Sequence, residues 1–171
     1  VLIDEFNGLP DAEAAALLRT CVAIDSWVST LAAGRPYVTA QDLLDVGRAQ
    51  VVGWAPADVE AALADHPRIG ERPVGGGASA AASRSEQAGV DAGDLDLAER
   101  LRAGNAAYEE RFGRIYLVRA KGRSGEELLA LLEQRLGNDP ATELEVTRQQ
   151  LGEIALLRLA DLVGVDEGVL R

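Results

Sequence analysis

Four side chains of this sequence could do chemistry together: His66, Glu86, Gln87 and Arg158. His66 is the only histidine in 171 residues and stands in the stretch HPRIGE. A residue ahead of a proline is steered out of the helical region, so the imidazole leaves the end of its helix and can project over a cavity. Carbonyl groups at that helix end would favour the protonated ring. Two uses fit, an ordinary helix-end histidine and a general acid or base. The uniqueness of His66 removes His-pair metal sites and leaves proton transfer as its chemical alternative.

Ser83, Arg84, Ser85, Glu86 and Gln87 read SRSEQ. Ser83 and Glu86 fit a capping box, in which the serine accepts from the third amide and the glutamate reaches back. Such a start would also leave amides able to hold an anion, and Gln87 can donate and accept at once. Arg158 interrupts an apolar helix face. A buried guanidinium needs an acidic partner such as Glu86 or Glu153, or a bound anion. No G-x-S-x-G stretch supplies a serine nucleophile. Cys21 lies in an apolar stripe, where a free thiol packs as a small hydrophobe.

The elements that must position these groups are helical. Leu17, Cys21, Ile24, Val28 and Leu31 recur at helical spacing in one helix from about Asp11. Thr39 to Asp42 starts a second helix, with Leu43, Gly47, Val51 and Trp54 inward. Pro56 suits the first position of a third, in which Val59, Leu63 and His66 share a face and Pro67 ends the run. The stretch 72–82, RPVGGGASAAA, reads as a flexible loop. Its three glycines lack the GK[ST] and the preceding strand of a phosphate-binding loop.

Asp94 caps a helix with the stripe Leu97, Leu101, Asn105, Tyr108 and Phe112, closed by Gly113. Ile115 to Val118 is the one extended run, and without a second run to pair with it reads as a buried connector or a short helix-like piece. Ser124 and Glu127 form a further start signal, and Gly137 closes that helix. Asp139-Pro140 opens the last and longest helix, with Leu144, Leu151, Ile154, Arg158 and Leu162 on one face. Six or seven helices without repeats or heptads imply an all-α, compact, irregular bundle forming one domain over residues 1–171.

Composition narrows the function. Seventeen Lys and Arg face 28 Asp and Glu, a net charge of −11 that repels nucleic-acid backbones. No window offers the roughly 18 apolar residues of a membrane span. One cysteine and one histidine cannot build a Cys/His zinc cluster, and a lone cysteine fits a reducing cytoplasm. VLIDEFNGLP lacks the features of a secretory leader, and GVLR is not a peroxisomal signal.

Taken together, HPRIGE, an SRSEQ whose Glu86 lies twenty residues after His66, NAAYEERFG, GRS, NDPATEL and the helix carrying Arg158 resemble the 2-oxo-4-hydroxy-4-carboxy-5-ureidoimidazoline (OHCU) decarboxylase family of urate breakdown. The likeness runs from FNGLP at Phe6 to RLADLV ending at Val163. It implies a cofactor-independent, all-α carboxy-lyase, usually a homodimer, that turns OHCU into (S)-allantoin and carbon dioxide. By that resemblance His66 is the acid/base residue, with Glu86 and Gln87 as substrate ligands and Glu86 counted with the catalytic pair. Arg158 becomes an anion or carbonyl clamp, Pro67 and Ser83 form the pocket, and the backbone from Ile115 to Leu117 lines the ring site. Two other readings remain open: an acidic helical interaction domain without catalysis, and a cofactor-free lyase for another ureido or imidazoline substrate. FGRIYLVRA departs from the family's mostly apolar run, and Arg114 points either to solvent or into the pocket, where it would alter substrate preference.

Overall fold

The computed structural model describes residues 1–71, 77–90 and 94–165. Among these there are nine α-helices and no strand, as the helical periodicity requires. They are α1 (Ile3–Gly8), α2 (Asp11–Cys21), α3 (Asp25–Ala33), α4 (Ala40–Val51), α5 (Pro56–Ala62), α6 (Ala78–Glu86), α7 (Leu95–Phe112), α8 (Gly125–Arg135) and α9 (Pro140–Val163). A 3₁₀ turn, Leu63–Asp65, extends α5 to His66. The helix count exceeds the expected six or seven because short helices and breaks carry little periodic signal.

Four of the helix starts read from sequence carry their caps. Thr39 accepts from the Asp42 amide at 3.1 Å while its own amide donates to Asp42 at 2.9 Å. Asp94, Ser124 and Asp139 likewise accept from the amides of Leu97, Glu127 and Thr142. Gly113 takes the left-handed conformation, φ 71°, that lets α7 stop. Pro56 occupies the first turn of α5.

Three expectations change. The single helix through Leu17 and Leu31 is two, because Val22 and Ile24 are extended between α2 and α3; Leu18 then occupies the buried position and Leu17 is half-buried. Residues 78–82 are helical, since the alanines of ASAAA favour helix strongly enough to begin α6 well before Ser83. The rest of the presumed loop, 72–76, lies outside the described residues. Leu151, Ile154 and Arg158 of α9 are buried as expected, but at its two ends Glu143 and Val163 take the buried positions and Leu144 and Leu162 are only half-buried.

α9 packs along α2, α4 and α5, and α7 packs on α8. Buried side chains accordingly form two clusters, one around Phe6, Trp27, Leu43 and Leu159, the other around Leu97, Leu101, Tyr108 and Leu132. Residues 115–120, in neither helix nor strand, run between them as the connector foreseen from IYLV, with 116–118 and 120 buried. Extended backbone sends successive side chains to opposite sides. Leu117 therefore enters the first cluster, while Tyr116, Val118 and Ala120 enter the second. With no sheet to pair with, the connector is held by side chains: Arg135 donates to the Leu117 carbonyl at 2.6 Å, and the Arg119 amide donates to Gln150 at 2.9 Å.

No helix of the described residues is long and apolar enough to cross a membrane.

Candidate active site

α5 and its 3₁₀ turn carry His66 to the point where Pro67 forbids further helix. The residue is extended, φ −109° and ψ 133°, as a pre-proline position demands. Its side chain enters a partly buried setting beside Arg158. Desolvation, and after it the Arg158 charge, push the imidazole down from 6.5 to about 4. The expectation of a protonated ring at the helix end is therefore overturned. Burial and a neighbouring guanidinium outweigh the weak field of one helical turn, and near pH 7 the ring is a neutral base.

The capping-box reading of Ser83 and Glu86 also fails. Both residues lie in the last turns of α6, so Ser83 caps nothing, and the helix start, Gly77 and Ala78, lines the larger cavity described below instead. Three residues apart, they present adjacent side chains on one face instead. Arg158, from the middle of α9, meets that face. Its Nε donates to Glu86 Oε1 at 2.6 Å, and its Nη2 donates to Glu86 Oε2 at 3.1 Å and to Ser83 Oγ at 3.2 Å. This is the two-pronged pairing for which guanidinium geometry is suited. Glu86, 72 residues away in sequence, is thus the partner that the buried arginine required. Glu153 instead accepts from Arg119 at 2.9 Å.

Gln87 ends α6 and turns toward the segment after Pro67. Its Oε1 accepts from the Gly70 amide at 3.0 Å, and its Nε2 donates to the Arg68 carbonyl at 3.5 Å. Both ends of the amide are already in contact with protein before any ligand arrives.

A cavity of about 20 Å³ is enclosed by His66, Pro67, Ser83, Glu86 and Gln87 on its polar side. Ile69, Tyr116, Leu117, Val118, Ala120 and Ile154 close the other side, drawing on both core clusters. That volume suits about one water. A second cavity, about 360 Å³, lies against His66 and Arg158 together with Ala16, Arg19, Thr20 and Asp65. It falls within the roughly 300–1,000 Å³ of small-molecule sites. His66 lines both spaces, and of the ion pair Glu86 lines the smaller and Arg158 the larger.

Six of the sequence-derived candidates, His66, Pro67, Ser83, Glu86, Gln87 and Leu117, share the small cavity, and Arg158 lines the larger one. Ile115 does not line either; it packs partly buried against the first core cluster. Arg114 takes neither direction considered for it. Its side chain is 11% exposed and donates to Glu60 on α5 at 3.0 Å. Cys21 is 1% exposed, and burial raises its thiol to about 12, so it is an inert core residue. Among the described residues no group of three or more His, Cys, Asp or Glu side chains is placed to hold a metal ion.

Sequence reasoning missed a second buried ion pair. Arg135, 5% exposed, donates from Nε to Glu143 Oε1 at 2.7 Å, and Glu143 is fully buried. Tyr108 and Asn138 also donate to that carboxylate, at 2.5 and 3.0 Å.

The family model described as OHCU decarboxylase matches residues 7–160. The 2-oxo-4-hydroxy-4-carboxy-5-ureidoimidazoline decarboxylase of Amia calva is 37% identical over 136 residues, covering 76% of this chain and 75% of the relative. The corresponding protein of Mus musculus is 31% identical over 132 residues, covering 76% and 74%. A crystal structure of an OHCU decarboxylase in the presence of (S)-allantoin is similar with a TM-score of 0.72 at 26% identity, covering 85% of this chain and 96% of that one.

Proposed function

The chain belongs to the OHCU decarboxylase family, and from that premise we propose that it decarboxylates OHCU to (S)-allantoin in urate catabolism, with His66 as its acid/base residue. The observation that carries this reading is a neutral imidazole beside the Arg158–Glu86 pair, on a residue that lines both cavities. A neutral ring can take a proton, and a guanidinium next to it can hold the substrate's charge.

In OHCU one carbon bears both the carboxylate and a hydroxyl, and the adjacent ring carbon is doubly bonded to nitrogen. Breaking the bond to the carboxylate releases carbon dioxide, and the electron pair moves into the C=N system, whose nitrogen takes up a proton. The product is an enol. His66 accepts the hydroxyl proton as the carbonyl forms and returns a proton to one face of the neighbouring carbon, which sets the S configuration. Over the cycle one carboxylate is lost as carbon dioxide and one proton is consumed.

Arg158 binds the carboxylate of the substrate. Since its Nε and Nη2 are already engaged, the substrate displaces Glu86 at least in part, and this joins the small cavity to the larger one. Glu86 so released, with Gln87 and Ser83, holds the ureido and ring amides, while Pro67, Leu117 and the backbone from Ile115 form the wall. Positioning, and removal of water from a carboxylate whose charge disperses in the transition state, supply much of the rate. The chain works as one domain and, as in the implied family pattern, as a homodimer in the cytoplasm.

The deciding experiment makes OHCU in place from urate with uricase and hydroxyisourate hydrolase, then follows the optical activity of the allantoin. Accelerated formation of the S enantiomer is expected, and no acceleration would sink the proposal. His66→Ala with unchanged helical circular dichroism should abolish that acceleration. Light scattering of the eluted peak during gel filtration checks the dimer.

A further inference from the structure

Asn105 is a polar residue on the apolar face of α7, between Leu101 and Tyr108, and it is 5% exposed. Its Nδ2 donates to the Ile69 carbonyl at 3.0 Å. Its Oδ1 is buried and has no partner among the described residues. Leaving a buried acceptor unmet is costly, because its lost hydration is not replaced. An asparagine is therefore an expensive choice in this stripe, and among the described residues its side chain gains a hydrogen bond to the carbonyl three residues after His66.

That segment has little structure of its own. A single turn bond, from the Glu71 amide to the Arg68 carbonyl at 3.1 Å, and a left-handed Gly70, φ 88°, shape it. Side chains supply the rest. Gln87 meets Arg68 and Gly70 from α6, Asn105 meets Ile69 from α7, and one turn further along α7 Glu109 accepts from Arg68 Nε at 2.8 Å. Ile69 itself is buried in the second core cluster. Pro67 is stiff, so fixing residues 68–70 also fixes where His66 can point.

We propose that Asn105 is a positioning residue, which through the Ile69 carbonyl locks the turn after Pro67 and so holds the His66 imidazole against the Arg158–Glu86 pair. This rests on His66 being the acid/base residue. Two variants of the untagged full chain test it, N105A and N105D, each checked for wild-type helical circular dichroism. A base displaced by about 1 Å loses on the order of 10²-fold in the chemical step. N105A should therefore lose roughly 10–100-fold in kcat with KM within about twofold. A carboxylate cannot donate to the Ile69 carbonyl but a carboxylic acid can. Activity of N105D should then recover as pH is lowered from 8 to 5.5, a range over which the wild type stays level.

The lone histidine also gives one imidazole signal by NMR, whose titration needs no substrate. In N105A its midpoint should rise from near 4 toward 6.5 as the ring escapes burial and Arg158. Folded N105A with wild-type kcat and an unchanged titration would overturn the proposal, as would N105D activity that follows only the folded fraction. If the wild type shows no turnover of OHCU, the proposed function fails, and the NMR titration still decides whether Asn105 positions the ring.

Discussion

Among the described residues, the Arg135–Glu143 and Arg158–Glu86 pairs both lie largely out of solvent and are surrounded differently. Around Arg135 and Glu143 protein groups converge from every side. Tyr108, Asn138 and Arg135 donate to the carboxylate, Thr147 and the Leu117 carbonyl accept from the guanidinium, and the rings of Tyr116 and Tyr108 lie 4.9 and 5.9 Å from its centre. Glu86 instead meets Arg158 with both oxygens, and Ser83 completes the contact beside open space. Removing charges from water is costly, so a buried pair persists where its surroundings complete its hydrogen bonds or where it has work to do. The first pair meets the structural condition. The second has its arginine against a ligand-sized cavity, the setting that the proposed substrate binding requires.

The comparison can be broken in several ways. The largest effect is expected for Glu143→Ala, which leaves Arg135 buried without its counter-charge and should cost about 3–5 kcal/mol in urea unfolding. A variant as stable as wild type would show that the pair is not structural. Arg158→Met, close in length but uncharged, should lower kcat/KM by roughly 10²–10³-fold, with a smaller loss of stability than Glu143→Ala. If the two variants show the same profile, the division between a structural and a binding pair falls.

The pH dependence of stability separates them further. The folded imidazole binds its proton only near pH 4, whereas an unfolded one binds it near 6.5. Between those values the unfolded state carries more protons, so stability rises with pH across this window and is complete above it. Falling from pH 7 to 4 should cost about 3 kcal/mol through this residue, and His66→Ala should remove that part of the pH dependence in urea titrations. The smallest effect is expected at Ser83→Ala. It removes one hydrogen bond to Arg158, worth about 1 kcal/mol, and should appear as a severalfold rise in KM.

The same contrast explains what could be read in the sequence. Arg158 announced itself because it interrupts Leu151, Ile154 and Leu162, and a cation on an apolar stripe demands a partner. Arg135 and Glu143 gave no such signal. One stands in the last turn of α8 and the other in the first turn of α9, where basic and acidic residues are ordinary surface complements to the helix ends. Caps such as Thr39–Asp42 were legible because their hydrogen bonds span three residues. SRSEQ misled for the same reason, since S-x-x-E describes a helix start only if the helix does not already run through it. The neutral state of His66 was not legible, because it depends first on burial that no local pattern specifies and then on a guanidinium 92 positions away.

The connector that alternates between the two clusters has a consequence for how this protein can vary. Because its neighbours are held by side chains and not by a ladder, its registry rests on parity: Leu117 on one side, Tyr116, Val118 and Ala120 on the other. Exchanging one apolar residue for another there preserves that parity. Deleting or inserting a single residue reverses it downstream, presenting each half of the interior with the side chains meant for the other, and it detaches the Leu117 carbonyl from Arg135 at the wall of the cavity. Length in this stretch is therefore constrained more tightly than identity, and natural variation in it should be confined to substitutions.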